Sequence, residues 1–297
     1  MPSNVRRPRL PRDPPSRRAY ILRMSSEVLE RILAGFPSLL IGYSGGVDSA
    51  LLAVRARRAL GRGRMLAVLG VSPSLAEEQH RRARELAVQF DVPLLEVATR
   101  ELDQPGYVAN APDRCYFCKR ELWARLHEVA AERGLAAVAD GTNVDDLGDH
   151  RPGLRAADER GIRAPLAEAG YDKDAVRRDA RALGIPIWAA PAAPCLASRI
   201  RYGLSVTPSR LRQVERAEAL VRALGVAGDL RVRHCGDEAR IEVQPSQLAV
   251  VRDAADRIAG PLLALGFARI TLDLEGYRRG SLLADRSDAV VLLAARE

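Results

Sequence analysis

Ser44-Gly45-Gly46-Val47-Asp48-Ser49 follows directly on the apolar run Leu39-Leu40-Ile41. The run reads as a buried strand and the Ser/Gly stretch as a tight loop. From about Asp48 a helix is predicted, with Ala50, Leu51, Leu52 and Val54 as its apolar positions. Gly45 and Gly46 permit a sharp turn and put no Cβ in the way of an anion. The hydroxyls of Ser44 and Ser49, with the free N–H groups of the helix start, then form an anion nest at the positive end of the helix dipole. The stretch is not a Walker A loop, because it lacks G-x-x-x-x-G-K-[ST] and has no Lys to grip a terminal phosphate. A Gly-rich turn that binds nothing is the plain alternative. Strand, loop and helix arriving in this order argue against it.

Working outward, the first half alternates strand and helix, with strands predicted at 37–43, 65–71, 93–98 and 135–140 and helices at 48–60, 75–90 and 118–133. That pattern implies an α/β fold on a parallel sheet whose strands are covered on both faces. Ligands of such sheets bind beyond the carboxyl ends of the strands. Ser72 and the run Gly141-Thr142-Asn143 fall at such ends, so they are expected to clamp the adenine and ribose of a nucleotide whose phosphates lie in the loop. From about residue 207 the pattern changes. A helix at 207–224, a hairpin of Leu230–His234 with Ala239–Val243, a helix at 246–259 and a strand at 267–273 suggest a smaller α+β domain. The organisation read from the sequence is an arm at 1–24, a parallel-sheet domain at 25–205 and a C-terminal α+β domain at 206–297.

The 297 residues are 47% hydrophobic, which excludes a wholly disordered chain. No apolar stretch approaches the roughly 18 residues of a membrane span, and no signal peptide is marked. A soluble, cytoplasmic protein is therefore expected. The net charge of +8 is carried by arginine, Lys119 and Lys173 being the only lysines, and its field favours phosphorylated ligands. In the arm, Arg6, Arg7, Arg9, Arg12, Arg17 and Arg18 alternate with prolines, so no helix is expected there.

The chain has 4 cysteines: Cys115 and Cys118 in Cys-Tyr-Phe-Cys just ahead of a predicted helix, Cys195 after Pro194, and Cys235 in the hairpin turn. A disulfide framework does not suit a reducing compartment. A single C-x-x-C is compatible with metal or cluster ligation, a redox dithiol or coincidence. Zinc on Cys115, Cys118, Cys195 and His234 is one version. The version favoured here puts the three thiolates on an iron–sulfur cluster and leaves one iron open.

The loop at 44–49 resembles the PP-loop of ATP pyrophosphatases. Further stretches make the resemblance narrower. They are Pro112-Asp113-Arg114-Cys115-Tyr116-Phe117-Cys118-Lys119, Asp140-Gly141-Thr142-Asn143, Asp145-Asp146-Leu147-Gly148-Asp149, Arg151-Pro152-Gly153 and Pro165-Leu166. Then come Pro194-Cys195-Leu196-Ala197-Ser198-Arg199-Ile200, Arg231-Val232-Arg233-His234 and Leu274-Glu275-Gly276-Tyr277-Arg278-Arg279-Gly280-Ser281. Together, over roughly residues 25 to 285, they look like the LarE family of ATP-dependent sulfur transferases.

The resemblance implies that ATP with Mg²⁺ occupies the PP-loop residues Ser44, Gly45, Gly46, Asp48 and Ser49. It also implies adenylation of a carboxylate of pyridinium biscarboxylic acid mononucleotide, pyrophosphate release, and insertion of sulfur to give a thiocarboxylate for the nickel-pincer nucleotide. Cys195 matches the sulfur-source or cluster-ligand position of the family. With Cys115 and Cys118 present, the chain looks like the [4Fe-4S] type rather than the type that sacrifices one cysteine. Arg231 and Arg233 match a pair at the family's substrate site, and Arg199 is a further candidate for that cleft. Family likeness also favours a homo-oligomer, and names no sulfide donor. The runner-up is a PP-loop tRNA thiolase, although no RNA-binding module follows residue 207. Amidation of the NAD synthetase or asparagine synthetase type leaves the cysteines unexplained. A nucleotide-responsive binding protein without turnover is the reading from another class.

Overall fold

The computed structural model describes residues 17–148, 152–191, 193–278 and 289–295. Most of the segment 1–24, together with Asp149, Arg151, Arg279, Gly280 and Ser281 of the quoted motifs, lies outside the described residues. The first sheet has the order β3-β2-β1-β4, built from β1 (Leu39–Gly42), β2 (Met65–Val71), β3 (Leu94–Ala98) and β4 (Ala137–Ala139). All of its pairings are parallel, so every strand delivers its carboxyl end to the same edge.

Period-two alternation of a strand explains the two cores around this sheet. Leu39 and Ile41 point into one core, shared with α1 (Arg17–Ala34), α2 (Val47–Leu60) and α5 (Lys173–Ala182). Leu40 points the other way, into a core with Val68, Val97 and the face Trp123, Leu126 and Val129 of α4 (Arg114–Glu132). Helix α3 (Glu77–Gln89) adds Ala83, Leu86 and Ala87 to the first core. Gly42 has no side chain because a Cβ there would stand 2.8 Å from the Trp123 ring.

The second sheet has the order β5-β6-β7-β8, with β5 (Leu230–His234), β6 (Glu238–Val243), β7 (Arg269–Asp273) and β8 (Val290–Ala295). Helices α6 (Pro208–Ala223), α7 (Leu248–Asp253) and α8 (Ala255–Ala264) close its core through Ala217, Val221, Val251, Ile258 and Leu262. A smaller cluster of Tyr107, Leu196, Ala197, Ile200, Val206, Leu211 and Val214 joins the two parts.

Several expectations change. Helix α1 starts at Arg17, so residues 17–24 of the segment read as an arm are helical. The C-x-x-C does not precede its helix; it occupies the first turns of α4, which begins at Arg114. Phe117 seats against Gly106, where any Cβ would come within 2.3 Å of the ring, and this burial draws the stretch into the helix. The helix expected at 246–259 is divided at Ala254 and runs on to Ala264 despite Pro261, because Ile258 and Leu262 are buried in the core. Helix α5 and strand β8 have no counterpart among the expected elements. The first reads as a charged segment with small apolar residues, and the second lacks alternation.

Candidate active site

The carboxyl end of β1 runs straight into the Ser/Gly loop. Gly45 adopts φ 70°, and a Cβ there would stand 2.6 Å from that of Ala83, so both conformation and contact require glycine. Gly46 caps α2 without any side-chain hydrogen bond to the helix start. The loop is braced from within by the Ser49 hydroxyl. It donates to the Gly46 carbonyl at 3.1 Å and accepts from the Ser44 N–H at 3.2 Å. Ser44 itself is exposed, and Gln79 of α3 donates to its carbonyl at 2.9 Å. Ser49 is thus buried bracing, while Ser44 and the first N–H groups of α2 make up the anion-facing rim.

β4 ends beside this rim. A Cβ on Gly141 would lie 2.7 Å from the Ser49 nitrogen, a backbone atom that cannot step aside. Gly141→Ala should cost about 1–3 kcal/mol of stability through overpacking. It should lower ATP turnover further than that loss explains, which paired denaturant and pyrophosphate assays would detect. Asn143 is fully buried and donates from Nδ2 to Asp48 Oδ1 at 2.8 Å. Asn143 also forms a capping box with Asp146, which meets Lys173 Nζ at 3.3 Å. Burial first, and then the Asp146 charge, raise the Asp48 carboxyl above the ordinary aspartate value, against the Asn143 hydrogen bond and Lys173. A carboxylate held at such cost is suited to a cation.

Ser72 lies at the end of β2, where its hydroxyl donates to the buried Glu101 and accepts from the Ser74 N–H. Its hydroxyl proton is spent inside the fold. Thr142 bonds through its N–H to Asp140 Oδ1 at 2.9 Å. The loop, Gly141, Thr142 and Asn143 are therefore gathered at one spot, with Ser72 on the next strand along.

Cys195 comes to the same edge. The Leu196 N–H donates to the Ser74 carbonyl at 2.9 Å, tying the 194–200 turn to the chain just beyond β2. Cys118 and Cys195 pack on one apolar cluster around Tyr107 and Leu196, while Cys115 is exposed. Burial pushes the Cys118 thiol well up, and Cys195, Glu101 and Cys115 add to the shift while Lys119 opposes it. The three thiols are thus electrostatic neighbours. No group of three or more His, Cys, Asp or Glu side chains is drawn together as a metal-ligand set among the described residues. Three thiolate donors are the chemistry of an iron–sulfur cluster, but among the described residues they are not gathered into a ligand set. Cys235 stands apart: burial raises its thiol to about 11, and its charged neighbours are Arg240, Glu238, Arg201 and Glu242. His234 faces Gln213 Oε1 through Nε2 at 3.1 Å, and burial, with Arg210 beside it, lowers it to about 4. The four-ligand zinc version with His234 finds no support in this arrangement.

The candidate arginines are buried rather than lining an open strand face. Arg199 pairs with Glu218 at 2.9 Å, and its Nη1 donates to the carbonyls of Pro194 and Cys195. Arg233 pairs with Glu242 at 2.8 Å and donates to the Ser198 carbonyl at 2.8 Å. Arg231 lies 4.9 Å over the Tyr277 ring, and burial followed by the like charge of Arg199 pulls it below the ordinary arginine value. Two of these guanidiniums hold the Cys195 turn directly. Arg233→Ala should therefore cost about 3–5 kcal/mol, because it removes one side of a buried ion pair; a chemical denaturation curve measures it. Asn110, Tyr107 and Glu101 lie among these side chains without having been singled out in the sequence, and Arg114 was quoted there only as part of a motif. Among them, only an Asn five residues ahead of the cysteine motif, held at φ 54°, belongs to a type that signals special backbone.

A glycine-built anion nest at the carboxyl edge of a parallel sheet, backed by Asp48 and Asn143, defines a PP-loop enzyme of the ATP-using kind. The profile of the family described as NAD synthase matches residues 22–127. Over 264 residues the chain is 42% identical to an uncharacterized protein of Synechocystis, covering 88% of this chain and 98% of that one. It is 36% identical over 240 residues to the pyridinium-3,5-bisthiocarboxylic acid mononucleotide synthase of Lactiplantibacillus plantarum, covering 81% and 87%. It is also 29% identical over 240 residues to an uncharacterized protein of Methanocaldococcus jannaschii, covering 81% and 90%. The chain belongs to the LarE family. Among the described residues, no helix is long and apolar enough to cross a membrane.

Proposed function

We propose that this protein is an ATP-dependent sulfur transferase that converts a carboxylate of pyridinium biscarboxylic acid mononucleotide into a thiocarboxylate, for a nickel-pincer nucleotide. The observation that carries the reading is the bond from the Leu196 N–H to the Ser74 carbonyl. It sets Cys195 at the sheet edge that also carries the nucleotide loop, so activation and sulfur delivery share one cleft.

A carboxylate is a poor electrophile, and adenylation makes it a good one. A carboxylate oxygen of the substrate attacks the α-phosphorus of ATP, the bond to the β-bridging oxygen breaks, and pyrophosphate leaves. The α2 N–H groups and Ser44 neutralise the departing charge without reorganising. Asp48, oriented by Asn143, would hold the Mg²⁺ that travels with the nucleotide. A sulfur nucleophile then attacks the acyl carbon and AMP departs with its electron pair. A [4Fe-4S] cluster on Cys115, Cys118 and Cys195 would supply an iron able to hold that sulfur as sulfide. Cys118 and Cys195 approach from opposite segments, one on α4 and one on the 194–200 turn, which the apolar cluster around Tyr107 holds together.

Arg231 contacts the substrate phosphate in this reading. Arg231→Ala should raise the KM for the pyridinium nucleotide roughly ten- to hundredfold, the size of a lost charge-assisted contact, and spare that for ATP. Equal rises for both substrates would remove Arg231 from the substrate site. The function as a whole is tested by incubating the anaerobically purified chain with ATP and the pyridinium substrate. Pyrophosphate together with a thiocarboxylate product in the mass spectrum is expected; pyrophosphate with no sulfur incorporated would overturn the transferase reading.

A further inference from the structure

Arg114, the residue immediately before Cys115, is only 3% exposed. Its Nη1 donates to the Ala197 carbonyl at 2.9 Å and to Asn110 Oδ1, and its guanidinium lies 5.8 Å from the Tyr202 ring centroid. Two other buried arginines near the Cys195 turn are answered by acids, Arg199 by Glu218 and Arg233 by Glu242. Among the described residues no carboxylate pairs with Arg114. Its ionisable neighbours are Cys195, Cys115, Tyr107 and Tyr202.

A guanidinium does not shed its proton, so burying one without a counter-anion is costly. Nor is this one free to swing out. Asn110 is fully buried, and while its Oδ1 accepts from Arg114, its Nδ2 donates to the carbonyls of Ile200, Arg201 and Leu204 at 3.2, 2.9 and 2.9 Å. One amide thus fixes both the cation and the segment that follows Cys195. The positive end of α4 adds to the same field, since Arg114 is its first residue. A fixed, buried positive charge between the segments that carry Cys115 and Cys195 calls for an anion there.

We propose that Arg114 is the built-in counter-cation of an anionic-sulfur site between Cys115 and Cys195. The ligand it suits is a small monovalent sulfur anion, of which hydrosulfide is the simplest. A neutral sulfur donor gains nothing from this field, so Arg114 selects the charge of the sulfur species the cleft retains. The inference rests on the reading of Cys195 as the sulfur-bearing residue, and it gives Arg114 a positioning role rather than a part in bond making.

The test uses the full-length, metal-free chain without nucleotide. Cys195 is modified with iodoacetate, an anion, and with iodoacetamide, its near-isosteric neutral counterpart, and each rate is followed on the Cys195 peptide by mass spectrometry. The iodoacetate-to-iodoacetamide ratio in the folded protein is expected to exceed that of the urea-unfolded chain by about three- to tenfold at low salt, and to shrink towards it at about 1 M salt. Arg114→Lys should keep most of the excess and Arg114→Met should abolish it. A folded ratio equal to the unfolded one, or an Arg114→Met protein that keeps the wild-type ratio, overturns the proposal. If Arg114→Met does not fold, the wild-type ratio and its salt dependence decide alone. Because this readout needs no substrate, a raised ratio without thiocarboxylate formation would sink only the sulfur-transfer reading. Thiocarboxylate formed without any excess ratio would sink only the counter-cation.

Discussion

Asp48→Asn should abolish pyrophosphate release while raising the thermal stability of the nucleotide-free chain. The two halves of this expectation have one cause. Burial holds the Asp48 carboxyl above its ordinary value, so the folded chain is destabilised by keeping it ionised. An amide of the same shape removes that cost, and Asn143 Nδ2 still finds an oxygen acceptor in place of Asp48 Oδ1. The cation site is lost with the charge. Removal of a preorganised electrostatic group typically costs about 10²–10³ in rate, and loss of the metal adds to it. The sign of the pH dependence follows. With the folded value raised, Asp48 favours the fold more as pH falls towards it, whereas turnover needs the ionised form. Activity should fall on the acid side at a pH above that of an ordinary aspartate, and rising Mg²⁺ should move that limb down. An Asp48→Asn protein with normal pyrophosphate release would remove the PP-loop assignment.

Cys195→Ala should leave pyrophosphate release nearly intact and eliminate thiocarboxylate formation. The separation arises because Cys195 lies on the turn tied to Ser74, whereas the phosphate-facing groups lie on β1 and α2. Nothing in the nucleotide loop leans on the Cys195 thiol. Cys115→Ala and Cys118→Ala should likewise lose sulfur transfer, together with the iron, sulfide and visible absorption of the anaerobically purified protein. Cys235→Ala should keep all of these, since its charged neighbours are Arg240, Glu238, Arg201 and Glu242 and not the other thiols. Dehydroalanine at Cys195 after turnover, with Cys115 and Cys118 dispensable, would instead make Cys195 a consumed sulfur donor.

The fold was legible wherever local pattern and tertiary demand coincide. β2 spans Met65–Val71 as its apolar run indicates, and β1, β3 and β4 differ from expectation only at their ends. Helix α2 begins one residue before Asp48 because Gly46 supplies the cap. Patterns failed where tertiary contacts overrule them. The Cys-Tyr-Phe-Cys stretch is helical because Phe117 has Gly106 to pack on, and that glycine is distant in pattern though near in space. α5 holds its place partly through Asp179, which receives Arg55 of α2 and the Tyr171 hydroxyl, a set of partners no window of sequence contains. Its apolar face is made of Ala175, Val176 and Ala180, too small to announce itself.

By itself the sequence determined the strand–loop–helix unit at 39–60, the parallel sheet that carries it and the family to which the chain belongs. These follow from glycine conformation, apolar periodicity and residue order, all of which are local in the chain. Only the tertiary structure decided that Ser49 braces the loop from inside and that Asn143 orients Asp48. It alone decided that Arg199 and Arg233 spend their charge on Glu218 and Glu242 while gripping the Cys195 turn, and that Arg114 is buried with thiols for neighbours. Spacing along a chain says which side chains share a face. What a buried charge costs, and which group answers it, depends on partners brought from far along the chain and on the exclusion of water, and both exist only once the chain has folded.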